Sequence, residues 1–393
     1  MTINIKIPIR TIDIEKQIAS IKNWNIAKQD KTDIVKFLRD LELGKVTGNQ
    51  VCERTLGDYI SKLKIGLEYM NKPTTKLTPK DTEKLCEALL RNEIKWIFKK
   101  KDETGKTRKQ SKPFVETSKI KIKNEVIKYL DWKLGDKSAK LTKLLKVKPR
   151  LKEPTPDFLS EQEIEKLFKS CKSTEERFLI AVLFDTGARA EEFHNIRKED
   201  VELPSDKDNY VRITLKEEYS KTKGRTISLY WPYSFEAVRD YVNERIKEGV
   251  KADEPIFKRN YKSVRKFLYR LGMKALDKSI HYHLFRHSSA TYYASKLNRQ
   301  QLCYRYGWRF RSPMPDRYIS RKGMEQKELD QKFEQTEISD MKKDIEKQKQ
   351  LSIMKQDEFD KKVKDMAQKN KEVMLQFKKY MDQMKKLKIT ENY

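Results

Sequence analysis

The residues best suited to chemistry lie between His281 and Tyr318, in HYHLFRHSSATYYASKLNRQQLCYRYGWRFRSPMPDRY. Three of the four histidines fall there, with a Gly307-Trp308 pair and a tyrosine flanked by Arg317 and Ser320. His283, Arg286 and His287 are spaced i, i+3 and i+4, which sets them on one face of a helix. A guanidinium fork matches two phosphate oxygens, and an imidazole beside it donates a hydrogen bond or moves a proton. The chemistry indicated is that of a phosphate, although a helix that packs its aromatics inward and leaves His and Arg in water has the same spacing. Upstream, FDTGARAEEFHNIRKEDVEL sets Arg189 directly after a Thr186-Gly187 turn, opening a helix with Glu192 three residues on. Then YSKTKGRTISLY reads as two short strands joined by a turn at Gly224, with Lys221 and Lys223 in the loop. A lysine at such a tip has the reach to meet a substrate.

In order along the chain, TGARAEE, SKT, HLFRH, GW and a closing tyrosine resemble the motifs of the tyrosine recombinase family, the phage integrases and Xer-type recombinases. The resemblance spans about Pro156 to Arg321. The ending GWRFRSPMPDRY is most similar to integrases of archaea and their mobile elements, with Trp308 where many members carry a second histidine and one extra residue before the tyrosine. The resemblance implies that Tyr318 attacks a scissile phosphate, forms a 3′-phosphotyrosyl bond and releases a 5′-hydroxyl, with no metal and no other cofactor. It implies that Arg189 and Arg286 clamp the phosphate oxygens and that Lys221 protonates the leaving oxygen, with Lys223 as the fallback. A free phenol titrates near ~10, so Tyr318 needs a base, and His283 is the candidate. Trp308 donates an indole N–H and packs but cannot move a proton, and Glu192 pairs with a basic neighbour. His287 is read as a structural helix residue in a supporting role, and His281 and His194 as surface or buffering positions. Tyr304 and Tyr306 are expected to pack in the helix before Gly307.

These groups need a framework, and 393 residues leave room for two or three domains. A formal charge of +29 favours a polyanionic partner, because each neutralised phosphate releases counterion. Residues 1–150 carry 36 Lys and Arg against 19 Asp and Glu, more than half of that excess. Helices are expected from Thr32 or Asp33 to near Gly44, from Thr55 to Tyr69, from Thr78 or Asp81, and again near Val115. Between them KWIFKKKDETGKTRKQSKPF reads as a hairpin or loop tracking a DNA backbone, with Lys99, Lys100, Lys101, Lys106, Arg108 and Lys109 as contacts; an ordinary solvated basic loop is the alternative. LLKVKPRLKEPTP, with three prolines, reads as an extended linker whose Lys146, Lys148 and Arg150 face phosphates.

Ser160 and Glu163 form a capping box at the start of the next domain. There Glu175–Phe184 is apolar enough for a core helix, Tyr210–Leu215 and Thr226–Tyr230 are strand candidates, and helices follow over Phe235–Lys247 and Tyr261–Leu271. In the C-terminal stretch Val363, Met366, Asn370, Val373, Phe377, Tyr380, Met384 and Leu387 step by alternating three and four, a heptad seam with Asn370 at one core position. An earlier seam through Ile338, Met341 and Ile345 slips phase between Ser352 and Phe359. A single solvated helix is the alternative.

The expected fold is mainly α with a small antiparallel β-sheet. A helical core-binding domain covers 1–143, a basic linker 144–156, a mixed α/β tyrosine recombinase catalytic domain 157–322 and a long C-terminal helix or coiled coil 325–388. Cys52, Cys86, Cys171 and Cys303 lack metal-ligand spacing and are expected to be reduced core residues. No run approaches a membrane span, so a cytoplasmic protein is expected. The expected partner is double-stranded DNA at attachment sites, bound by a homo-tetramer on two duplexes. The alternatives are a non-catalytic DNA-binding scaffold assembled by the coiled coil, and an enzyme resembling type IB topoisomerases.

Overall fold

The structure, a computed structural model, describes residues 6–9, 11–101, 107–147, 157–204, 210–220, 222–323 and 337–390. Chain contacts divide it into two compact units, Arg10–Pro154 and Met1–Ile9 with Thr155–Tyr393.

The first unit is helical because its apolar residues recur at helical spacing and bury one face each. It contains α1 (Ile14–Ser20), α2 (Lys28–Glu42), α3 (Glu53–Met70), α4 (Pro79–Leu90), α5 (Glu116–Leu134) and α6 (Ser138–Thr142). Phe37, Tyr59, Leu63, Ile122, Val126 and Tyr129 form the centre of its core. α2 starts a turn earlier than Thr32 or Asp33, at Ala27. Asp33 is engaged elsewhere: it and buried Asp30 both receive the Lys133 ammonium at 2.6 Å. α4 does begin at Thr78, closed by a capping box with Asp81. KWIFKKK and TRKQSKP form an antiparallel hairpin, β1 (Lys95–Lys101) and β2 (Thr107–Pro113), in which Lys99 faces Lys109 and Lys100 faces Arg108. All of β2 is exposed. Lys106, Lys148 and Arg150 lie outside the described residues; Lys146 is exposed beyond α6.

The second unit carries the chemistry-bearing motifs. Ser160 and Glu163 reciprocate as expected at the start of α7 (Glu161–Lys169). α8 (Thr174–Thr186) is apolar nearly all round and is buried from Arg177 to Thr186. α9 (Ala190–His194) follows, then a three-stranded antiparallel sheet in the order β3 (Val201–Glu202), β4 (Arg212–Leu215) and β5 (Arg225–Ser228). β3 was not anticipated, and its two residues are too few to leave a period in the sequence. The segment before Gly224 is not a strand: Glu217–Tyr219 is a 3₁₀ turn, so the tip between β4 and β5 is long. α10 (Ser234–Lys247), α11 (Tyr261–Leu276), α12 (Tyr282–Ala294), α13 (Arg299–Tyr306), α14 (Met314–Gly323) and α15 (Glu337–Thr390) complete it. The N-terminal residues belong here too, since Ile7 exchanges two backbone hydrogen bonds with the Asn195 amide at 2.6 and 2.9 Å.

Part of α15 is docked. Lys347, Gln350, Leu351, Lys355 and Glu358 recur at helical spacing and meet α7, α8 and α10. Lys347 bonds Glu161 at 2.9 Å, Lys169 bonds Gln350 at 2.7 Å, Lys355 reaches Glu236 at 2.9 Å, and Arg177 pairs with Glu358. Leu351 is buried in the core. The expected earlier seam is not the docked face, because Ile345 is exposed. No helix among the described residues is long and apolar enough to cross a membrane. Cys171 and Cys303 are buried, but Cys52 is exposed at the start of α3, so it is not a core residue.

Candidate active site

Arg189 is aimed by the end of α8. Gly187 takes φ +58°, which ends the helix, and a Cβ there would lie 2.5 Å from Tyr306 Cε1, so both the turn and the space require glycine. Arg189 then caps α9 in an extended conformation, its N–H donating to Glu192 Oε2 at 2.9 Å. Its guanidinium donates to Glu192 Oε1 at 2.7 Å. Glu192 is the hub: Ser220 Oγ donates to it at 2.6 Å, and Arg225 donates from the other side at 2.9 Å. The Arg225 and Glu192 side chains are each 1% exposed. Two guanidinium groups outweigh burial and hold the Glu192 carboxyl far below the usual range, so it is ionised at any working pH.

Arg286, on α12, is buried and spends two of its donors on carbonyls, Gly187 O at 2.8 Å and Tyr306 O at 2.5 Å. Burial, and then the charge of Arg189, press its pKa below the usual arginine range. Its guanidinium lies 5.6 Å from the Trp308 ring centre. Trp308 follows Gly307, which closes α13 at φ +61° where a Cβ would stand 2.5 Å from Thr222 Oγ1. Thr222 lies in the β4–β5 tip and is 3.4 Å from Arg189 Nη1. The tip, α13 and the first arginine are thereby drawn together. Lys221 lies outside the described residues; its neighbours Ser220 and Thr222 both touch this network, and Lys223 is exposed.

Tyr318 reaches the cluster from α14. The loop before it is secured by Arg299, which bonds Phe310 O at 2.7 Å, Ser312 O at 2.9 Å and Asp316 at 3.0 Å. The Tyr318 ring is 1% exposed and lies parallel to Trp308 with centres 5.5 Å apart. Its hydroxyl is 2.6 Å from His287 Nδ1. His283 stands one turn earlier, its ring edge-on to His287 at 4.6 Å. The protein packed around His283, then Arg286, His281 and Arg189, hold its pKa below the usual histidine value, although the side chain keeps an open face to solvent.

His287, read as a structural helix residue in a supporting role, meets the Tyr318 hydroxyl. His194 is not at the surface: it is buried against Tyr282, its Nε2 2.6 Å from that hydroxyl, and burial pushes its pKa to about 4. His281 caps α12, its Nδ1 accepting from Leu284 N. Tyr306 packs inside as expected, whereas Tyr304 is exposed. Arg225 went unnoticed, and its place directly after Gly224 at the lysine tip was the available signal. So did Asp185, which accepts from Arg305 at 2.6 Å, from Trp231 N at 2.8 Å and from Tyr293, locking the end of α8 to α12 and α13. Among the described residues no cluster of His, Cys, Asp and Glu has the grouping to hold a metal ion.

Two arginines, a carboxylate that braces one of them, a tryptophan and a tyrosine are thus gathered on one mainly helical domain. Residues 157–322 match the phage integrase family. The chain is 25% identical over 240 residues to tyrosine recombinase XerA of Saccharolobus solfataricus, covering 60% of this chain and 72% of that protein. Its fold is similar to a lambda integrase dimer bound to a COC′ core site, with TM-score 0.54 and 14% identity over 80% of this chain and 83% of that one. Lambda integrase residues 75–356 bound to DNA give TM-score 0.51 and 15% identity, covering 75% and 96%.

Proposed function

We propose that the protein is a site-specific DNA recombinase that integrates or excises a mobile element, the archaeal XerA relative favouring an archaeal host. The observation that carries this reading is the bridge at Arg286. One guanidinium bonds the turn before Arg189 and the residue before Gly307, and Trp308 beyond it lies face to face with Tyr318. Motifs separated by more than a hundred residues are thus tied together at one guanidinium.

In the reaction, the Tyr318 oxygen attacks phosphorus as its proton passes to an imidazole on α12. Arg189 and Arg286 offset the charge that builds on the non-bridging oxygens, and Lys221 gives a proton to the departing 5′-oxygen. The 3′-phosphotyrosyl bond keeps the energy of the phosphodiester, so a 5′-hydroxyl from another strand reverses the step without metal or nucleotide. The similar lambda integrase structures hold DNA. Here the hairpin carrying Lys99, Lys100, Lys101, Arg108 and Lys109, together with Lys146, supplies positive charge for the duplex backbone. Four protomers on two duplexes would then exchange strands, with the undocked half of α15 joining copies.

Wild type and Tyr318→Phe are incubated with nicked attachment-site DNA in the presence of chelator and resolved on a denaturing gel. A covalent adduct from wild type alone is expected. No adduct from either protein, on DNA that both bind, supports a scaffold instead.

A further inference from the structure

We infer that His287 is the general base that takes the proton of Tyr318, a reading that rests on Tyr318 being the nucleophile. Spacing alone leaves His283 and His287 equivalent, since both lie on the Arg286 face of α12. Geometry separates them. His287 Nδ1 is 2.6 Å from the Tyr318 hydroxyl, within the 2.6–3.2 Å reach that proton transfer requires. His283 meets the edge of the His287 ring from one turn away.

The phenol is held at two points. Its ring lies against Trp308 at an interplanar angle of 6°, and its oxygen is tied to His287, whose ring is tilted 32° to it with centres 6.0 Å apart. With the ring plane and the oxygen both fixed, little torsional freedom remains to be lost on attack. The histidine backbone is fixed too, since its carbonyl accepts from Thr291 Oγ1 at 2.9 Å. In the tautomer with the proton on Nε2, Nδ1 accepts from the phenol. As the O–H bond breaks, Tyr318 Oη bonds phosphorus, the imidazole becomes imidazolium, the P–O5′ bond breaks and the 5′-oxygen leaves with the proton Lys221 provides. Rejoining runs the same steps backwards, and the imidazolium returns its proton to Tyr318. The phosphodiester carries one negative charge before the step and one after it, and the two arginines meet the extra charge of the transition state.

His287→Ala and His287→Asn are compared with wild type, Tyr318→Phe and His283→Ala in single-turnover cleavage of the nicked substrate, with DNA affinity and thermal melting measured on each. His287→Asn can still bond the phenol but cannot take its proton. Both His287 variants are expected to bind DNA normally and to cleave ~10²-fold or more slowly, the usual scale of a lost base. Added imidazole should restore His287→Ala, and 3-fluorotyrosine at position 318, being more acidic, should narrow the gap. Cleavage by both His287 variants at the wild-type rate, slow cleavage that neither imidazole nor the fluorinated phenol improves, or imidazole rescue of His283→Ala instead would overturn the assignment while leaving Tyr318 as nucleophile. A wild-type adduct that is absent, or that survives Tyr318→Phe, would sink the recombinase reading and the base with it.

Discussion

Glu192 shows how one side chain sets the electrostatics of this site. In the proposed reaction Arg189 presents its guanidinium to a phosphate, and a long side chain does so only if something holds it. Glu192 holds it by two bonds, one to the backbone and one to the guanidinium, while its second partner Arg225 keeps the carboxylate from being a lone buried charge. Deleting one member of such a buried pair typically costs about 3–5 kcal/mol because the other is left uncompensated. Two residues on, His194 gives the domain a pH dependence of its own. Its folded pKa of about 4 lies below the unfolded value of 6.5, so the unfolded chain binds the extra proton. The stability this contributes is complete above pH 6.5 and is lost as pH falls through 4. About 2 kcal/mol should disappear between pH 7 and pH 5. Thermal melts should show wild type losing stability over that interval and His194→Gln losing less; equal losses would count against the assignment.

At the scale of elements, the site depends on two helix ends that stop in the left-handed region. Gly187→Ala would both strain φ +58° and drive a methyl into Tyr306, so a loss of at least ~1–3 kcal/mol of stability, read as a lower melting temperature, and loss of the adduct are expected. A variant that melts and cleaves as wild type would show that the turn does not fix Arg189. These turns, the Ser160 cap and the apolar run of α8 were legible because each is written in a few neighbouring residues. The mainly helical fold with its small sheet was legible for the same reason. What escaped is long-range. Arg225 finds Glu192 across 33 residues and Arg305 finds Asp185 across 120, and no local pattern encodes either meeting. The motif placed His283 and His287 together but could not say which ring faces Tyr318. The phase slip in α15 was visible without its cause: up to Glu358 the helix presents a docked stripe, and beyond it a different face takes over.

That second face bears on the whole molecule. After Glu358 the helix leaves the domain surface, and Phe359, Val363, Met366 and Val373 are exposed, an apolar stripe in line with the seam through Asn370. A polar residue at a core position fixes register when identical helices pair. Light scattering of the full chain should therefore give a mass above the monomer that falls in Met366→Glu with Val373→Glu, while cleavage of a single nicked duplex persists. Equal masses would remove the helix from protomer assembly. The basic excess is concentrated in residues 1–150, whereas the stretch 325–388 has 17 Lys against 14 acidic residues. This division agrees with the proposal that the duplex is gripped near one end of the chain and copies are joined near the other.

The central claim is that Tyr318 carries the covalent link to DNA. The most direct measurement is digestion of the trapped adduct with protease and nuclease, followed by mass spectrometry of the nucleotide-bearing peptide. The account predicts a phosphorylated nucleotide remnant on Tyr318. A remnant on exposed Tyr304, or on any other residue, would contradict it.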